Sequence, residues 1–156
     1  MALTEKQRNL IDDAGWINSV IIIEVQGNDK DYVKEALETL VNRMAREKGI
    51  EIYETNYDPP QEFKEKWFSI NTEVKFLAKD FGLLTRVALL YSPTSFEILD
   101  PQKDLKVPIG ELQNSLVDIS HLVSSLAHAV FVHQSAANRA AKAKKAKKGS
   151  KNNTKS

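Results

Sequence analysis

The chain of 156 residues has no cysteine. Disulfides, thiolate metal sites and cysteine nucleophiles are therefore excluded, and the absence fits a reducing compartment. Glycine and proline are sparse, at 6 and 5 residues, and no glycine-rich phosphate loop is formed. Gly27-Asn28-Asp29-Lys30 is a single-glycine turn that lacks the rest of that motif. Long hydrophobic runs are missing too. A run such as Val20 to Ile23 is far shorter than a bilayer span. The first residues, MALTEKQRNLIDD, carry charges where a signal peptide needs an apolar stretch. These absences point to a soluble, cytoplasmic protein with no membrane partner.

What is present is a core-forming chain, 42% hydrophobic and long enough for one ordinary domain with appendages. Its net charge of +1 conceals a division. Residues 139–156 hold eight Lys and Arg and no Asp or Glu. From totals of 22 basic and 21 acidic residues, 14 basic and 21 acidic remain in residues 1–138. A body of −7 is joined to a tail of +8.

The stretch Trp67–Pro101 organises the pattern. Phe68, Ile70, Thr72, Val74 and Phe76 alternate with Ser69, Asn71, Glu73 and Lys75, the period of a strand with one buried face. After Asp80 the apolar residues Phe81, Leu84, Val87, Ala88 and Tyr91 fall at helical steps. Ser92-Pro93 ends that helix, and Thr94–Leu99 reads as a strand. Upstream, Thr4 with Gln7 marks a capping box for a helix to Ala14. Trp16–Gln26 predicts a strand whose β-branched run implies cover on both faces and a central place in a sheet. Lys30–Lys48 predicts a helix with Val33, Ala36, Leu37, Leu40, Val41 and Met44 inward. Ile50–Tyr57 predicts a strand, and residues 61–66 a charged loop or single turn. The order β-α-β, β-α-β predicts an α+β, ferredoxin-like (βαββαβ) domain over residues 1–108, its antiparallel sheet covered by two helices on one face.

The runs Leu90-Tyr91-Ser92-Pro93 and Phe96-Glu97-Ile98-Leu99-Asp100-Pro101 resemble the end of the C-terminal extension domain of WYL-type bacterial regulators. There a helix closes in a tight turn and a strand reading E-V-L-x-P follows. The likeness covers residues 68–105, and the WYL core and its DNA-binding helices have no counterpart. The resemblance implies a ferredoxin-like accessory or ligand-sensing domain and no activity.

Residues 109–138 predict one long helix, roughly 40 Å at 1.5 Å per residue. Leu112, Leu116, Ile119, Val123, Leu126, Val130, His133 and Ala137 follow alternating steps of four and three, a heptad seam. The first six are the expected homodimer contact. Leu122 and Phe131 widen the apolar surface. Residues 139–156 predict a disordered end, in which Arg139, Lys142, Lys144, Lys145, Lys147 and Lys148 are candidate nucleic-acid contacts.

Other candidate chemistry has a plain structural reading beside it. Asp118, His121 and His128 share a helix face, short of the three or four ligands a metal needs. His133 lies in the seam. Glu24 with Asp29 and Asp31, or Glu51 with Glu54, supply carboxylates for acid-base work, but nothing in their spacing joins two in one pocket. Trp67, Phe68 and Phe76 suggest an RNA-binding sheet, yet the basic-aromatic motif of such sheets is missing. No cofactor and no enzymatic activity is expected. The favoured function is a small homo-oligomeric interaction or regulatory module. A nucleic-acid-associated protein and a small-molecule-sensing domain are the alternatives.

Overall fold

In the computed structural model, residues 2–135 are described in full and 136–152 in backbone only. The sheet is built around β1 (Ile17–Gly27). It lies between β4 (Trp67–Ala78) and β5 (Ser95–Asp100), antiparallel to both. β2 (Ile50–Tyr57) pairs with the far side of β4, giving the order β2-β4-β1-β5. The protein is α+β, with a five-stranded antiparallel sheet and four helices among the described residues.

Side-chain alternation decides what each face meets. Ile17, Ile21 and Ile23 of β1 and Ile70, Val74, Phe76 and Ala78 of β4 are buried on one face. They share a core with Val33, Leu37, Val41 and Met44 of α2 (Lys30–Met44) and Leu84, Val87 and Tyr91 of α3 (Phe81–Tyr91). Both helices therefore cover the same face, with the even residues of β4 inward as the alternation predicts. Asp29 caps α2 through the N–H groups of Asp31 and Tyr32, and Asp80 caps α3 through that of Leu83. At the start of the chain, α1 (Glu5–Asp12) carries the Thr4–Gln7 capping box. Gln7 is buried and donates to Glu51 at 3.0 Å. Leu77 pairs in register with Glu51 and is fully buried on the face away from the main core.

Several expectations are corrected. Residues 61–66 are not merely a loop: β3 (Gln61–Lys64) pairs with the first residues of β4, Gln61 opposite Ser69. β4 is 12 residues long and runs beyond β2, so its backbone there has free bonds to fill. All four β3 residues are exposed, so no apolar alternation marked them. β1 is central in the sheet, but its second face is covered only in part, at the end where Asn18 and Leu77 are buried. Val20 and Ile22, on its other side, are only half-buried. α2 stops at Met44 rather than Lys48, because Arg46 and Glu47 bond three residues back instead of four. Ala88 of α3 is exposed, outside the buried row of Leu84, Val87 and Tyr91.

The C-terminal helix α4 is Ile109–Asn152. The chain divides within it, into units of residues 1–116 and 117–156. In the first unit Ser115 is buried, while Ile109 is exposed. The disordered segment expected over 139–156 falls outside the fully described residues.

Candidate functional site

Two surfaces carry the candidate residues: the apolar side of α4 and the sheet face away from α2 and α3. On α4 the seam residues are open. Leu112 and Leu116 are 44% and 56% exposed, and Ile119, Val123, Leu126 and Val130 are 40%, 59%, 57% and 54% exposed. Phe131 is exposed as well. A soluble chain seldom leaves so continuous an apolar row in water. Residues Ile109–Ser135, with mean hydropathy 1.4, are by length and composition able to cross a membrane. Ser and His interrupt the stretch at nearly every turn, so no unbroken apolar run marks it in the sequence. The interruptions are not scattered. Asn114, Asp118, His121, Ser125 and His128 recur at steps of four and three and form a polar row opposite the seam. Val117 and Val132 are exposed on that side too, so it is polar only in part.

The open sheet face is a polar network laid across the strands. Asn18 is buried. It accepts a bond from the Tyr53 hydroxyl at 2.9 Å and donates to Asp100 Oδ2 at 3.0 Å, tying β2, β1 and β5 together. Burial pushes the Tyr53 hydroxyl above its usual range. The network sits between two register shifts, one in β2 beside Tyr53 and one in β5 beside Asp100. Sequence reasoning missed it. Polar residues on three strands carry no mark of contact until the register is known.

Four of the five carboxylates proposed for acid-base work, all but Asp31, have separate partners. Glu24 accepts from Ser69 at 2.6 Å and Gln26 at 2.7 Å, which holds its carboxyl below the usual range. Glu51 accepts from Gln7, Glu54 pairs with Lys75 at 2.8 Å, and Asp29 caps α2. Among the described residues no three His, Asp or Glu side chains come together as a metal site, so Asp118, His121 and His128 gain no further ligand. Gly27 serves packing: a Cβ there would lie 2.8 Å from Val33 Cγ1. Of the three aromatics, Phe76 is fully buried, Phe68 packs on the core and only Trp67 is exposed, so they form no stacking platform. The side chains of Arg139, Lys142, Lys144, Lys145, Lys147 and Lys148 lie outside the described residues.

Residues 18–154 match the model of the MJ0538 family. No curated protein and no solved structure matches the chain.

Proposed function

The chain belongs to the MJ0538 family, and we propose that it is a non-enzymatic, cytoplasmic interaction module that forms a homodimer through α4. The single observation that carries this reading is the exposed heptad row of Leu112, Leu116, Ile119, Val123, Leu126 and Val130. Two such rows facing each other remove apolar surface from water, at roughly 25 cal/mol per Å². Val123 and Val130 fall at one seam position and Leu112 and Leu126 at the other, the arrangement that favours two-stranded coiled coils. The polar row through Asp118 and His121 stays in water on the outer side, which a bilayer would not allow without cost.

The domain preceding the helix is proposed to be ferredoxin-like. With β3 counted as a short addition to the β4 edge, the order β2-β4-β1-β5 and two helices on one face support that reading. The resemblance to the WYL extension domain is of the same kind, a likeness of fold that brings no activity with it.

Light scattering at micromolar concentration without detergent tests the dimer. The expected mass is twice the chain mass of 17.6 kDa. A mass of 17.6 kDa overturns the reading, as does a protein that stays in the membrane fraction and needs detergent for extraction.

A further inference from the structure

A cleft of about 510 Å³ opens at the end of the sheet where α2 begins and β2 ends. That lies within the size range of small-ligand sites. Its two sides differ in chemistry. One is apolar and stiff, made by the Tyr57 ring, Pro59, Pro60 and the buried Ile70. The other is the first half of α2, which brings Lys30, Asp31, Lys34 and Glu38, and Asp58 follows Tyr57 on the apolar side. Burial, with Glu38 nearby, pushes the Tyr57 hydroxyl above its usual range, so it stays a neutral donor. The charges in this cleft do not neutralise one another. Lys34 reaches Glu38 only at 4.0 Å. Among the described residues the side chains of Lys30, Asp31 and Asp58 form no ion pair. An ammonium and two carboxylates thus line one cleft and stay apart, which leaves room for a group that meets both.

We propose that this cleft binds a small zwitterion with an apolar body, the chemistry of an α-amino acid with a large aliphatic or aromatic side chain. Lys30, with Lys34 one turn on, receives the carboxylate. Asp58 and Asp31 receive the ammonium, and the apolar side chain lies on Tyr57 and the two prolines. Charge sets the neighbouring ligand classes aside. A phosphate-rich ligand would bring several negative charges to a cleft that holds three carboxylates against two lysines. A simple amine meets only the carboxylates, and a simple acid meets only the lysines. Both sides of the cleft are held by the fold. Tyr57 pairs with Thr72 of β4, the Asp58 N–H donates to the Asn71 carbonyl at 2.9 Å, and Asp29 caps α2. A site held in place before the ligand arrives loses little ordering entropy on binding. The cleft lies within residues 30–70 and does not depend on the pairing of α4.

The test is a titration of the full chain with L-leucine, L-isoleucine and L-phenylalanine, read by the backbone amide resonances of the isotope-labelled protein. At least one of the three should shift the resonances of residues 30–38 and 57–60, with saturation below about 10 mM. The matching amine and the matching carboxylic acid, each lacking one of the two charges, should bind about tenfold or more weakly, the loss of one charged contact. Lys30 and Asp58 are both exposed, so substituting either leaves the core intact. Lys30→Gln should weaken the amino acid about tenfold and leave the amine unchanged. Asp58→Asn should weaken the amino acid as much and leave the carboxylic acid unchanged. Silence of all three amino acids at about 10 mM overturns the proposal. So does equal binding of the amino acid and either single-charge analogue, wild-type affinity in both variants, or resonance shifts confined to another part of the chain.

Discussion

At the residue scale, Phe76 is the most informative position. It is fully buried on β4 and meets Phe96 edge-on, with ring centroids 6.4 Å apart. Phe76→Ala should therefore cost about 3–5 kcal/mol in a urea melt, the usual loss for a large core aromatic. A change near zero would mean that the strand faces the other way. Its burial was legible from sequence, since a period of two sorts β4 into an inner and an outer row without any knowledge of its neighbours. The Asn18–Tyr53–Asp100 network was not legible, because its members are 35 and 82 residues apart along the chain and meet only through the sheet register. Glu24 gives a second prediction. Bonds from Ser69 and Gln26 lower its pKa from the ordinary 4.5, so the stabilisation they supply is present above that pH and lost as the pH falls through the lowered value. Ser69→Ala should lower the urea midpoint at pH 7 and have a smaller effect at pH 3. An equal loss at both would assign the role of Ser69 to packing instead.

At the scale of elements, the sequence pattern located α1, β1, α2, β2, β4, α3 and β5 to within a few residues because each has a buried row or a cap. Thr4, Asp29 and Asp80 are caps of that kind. β3 has neither, being exposed along its whole length, and its existence depends on the spare length of a partner strand. Element ends also rest on glycine where the backbone turns left-handed. Gly49, between α2 and β2, has φ +92°, and a Cβ there would come within 2.7 Å of Leu83 Cδ1. Gly15, between α1 and β1, has φ +70° with open space around it. The Leu83 methyl is the end of a flexible side chain and can shift, so backbone strain dominates the cost of a side chain at both sites. Gly15→Ala and Gly49→Ala should each lose roughly 1–2 kcal/mol, with Gly49→Ala the more costly. The reverse order in paired urea titrations would place the strain at Gly15.

At the scale of the whole molecule, the chain separates into parts with different physics. The core of Ile21, Phe76, Leu37 and their buried neighbours belongs to residues 17–91. The seam of α4 carries exposed apolar side chains, and the segment after it is rich in Lys and poor in apolar residues larger than Ala. Stability, assembly and charge should then respond independently to truncation. Removing residues 139–156 takes away eight positive charges and leaves 14 basic against 21 acidic residues, a net −7. The deleted segment contains no side chain larger than Ala that is apolar, so it contributes little by burial. The melting temperature should stay within a degree or two of wild type, roughly the shift that half a kcal/mol gives in a chain of this size. The light-scattering mass should remain that of a dimer, since Leu112 to Val130 are all retained. Any nucleic-acid binding should disappear, and the shortened chain should be held by an anion exchanger at pH 7. A truncated chain that keeps its affinity for nucleic acid would move the contact to the acidic domain and leave the tail without a role in binding. One that melts many degrees lower would show that the segment packs against the rest.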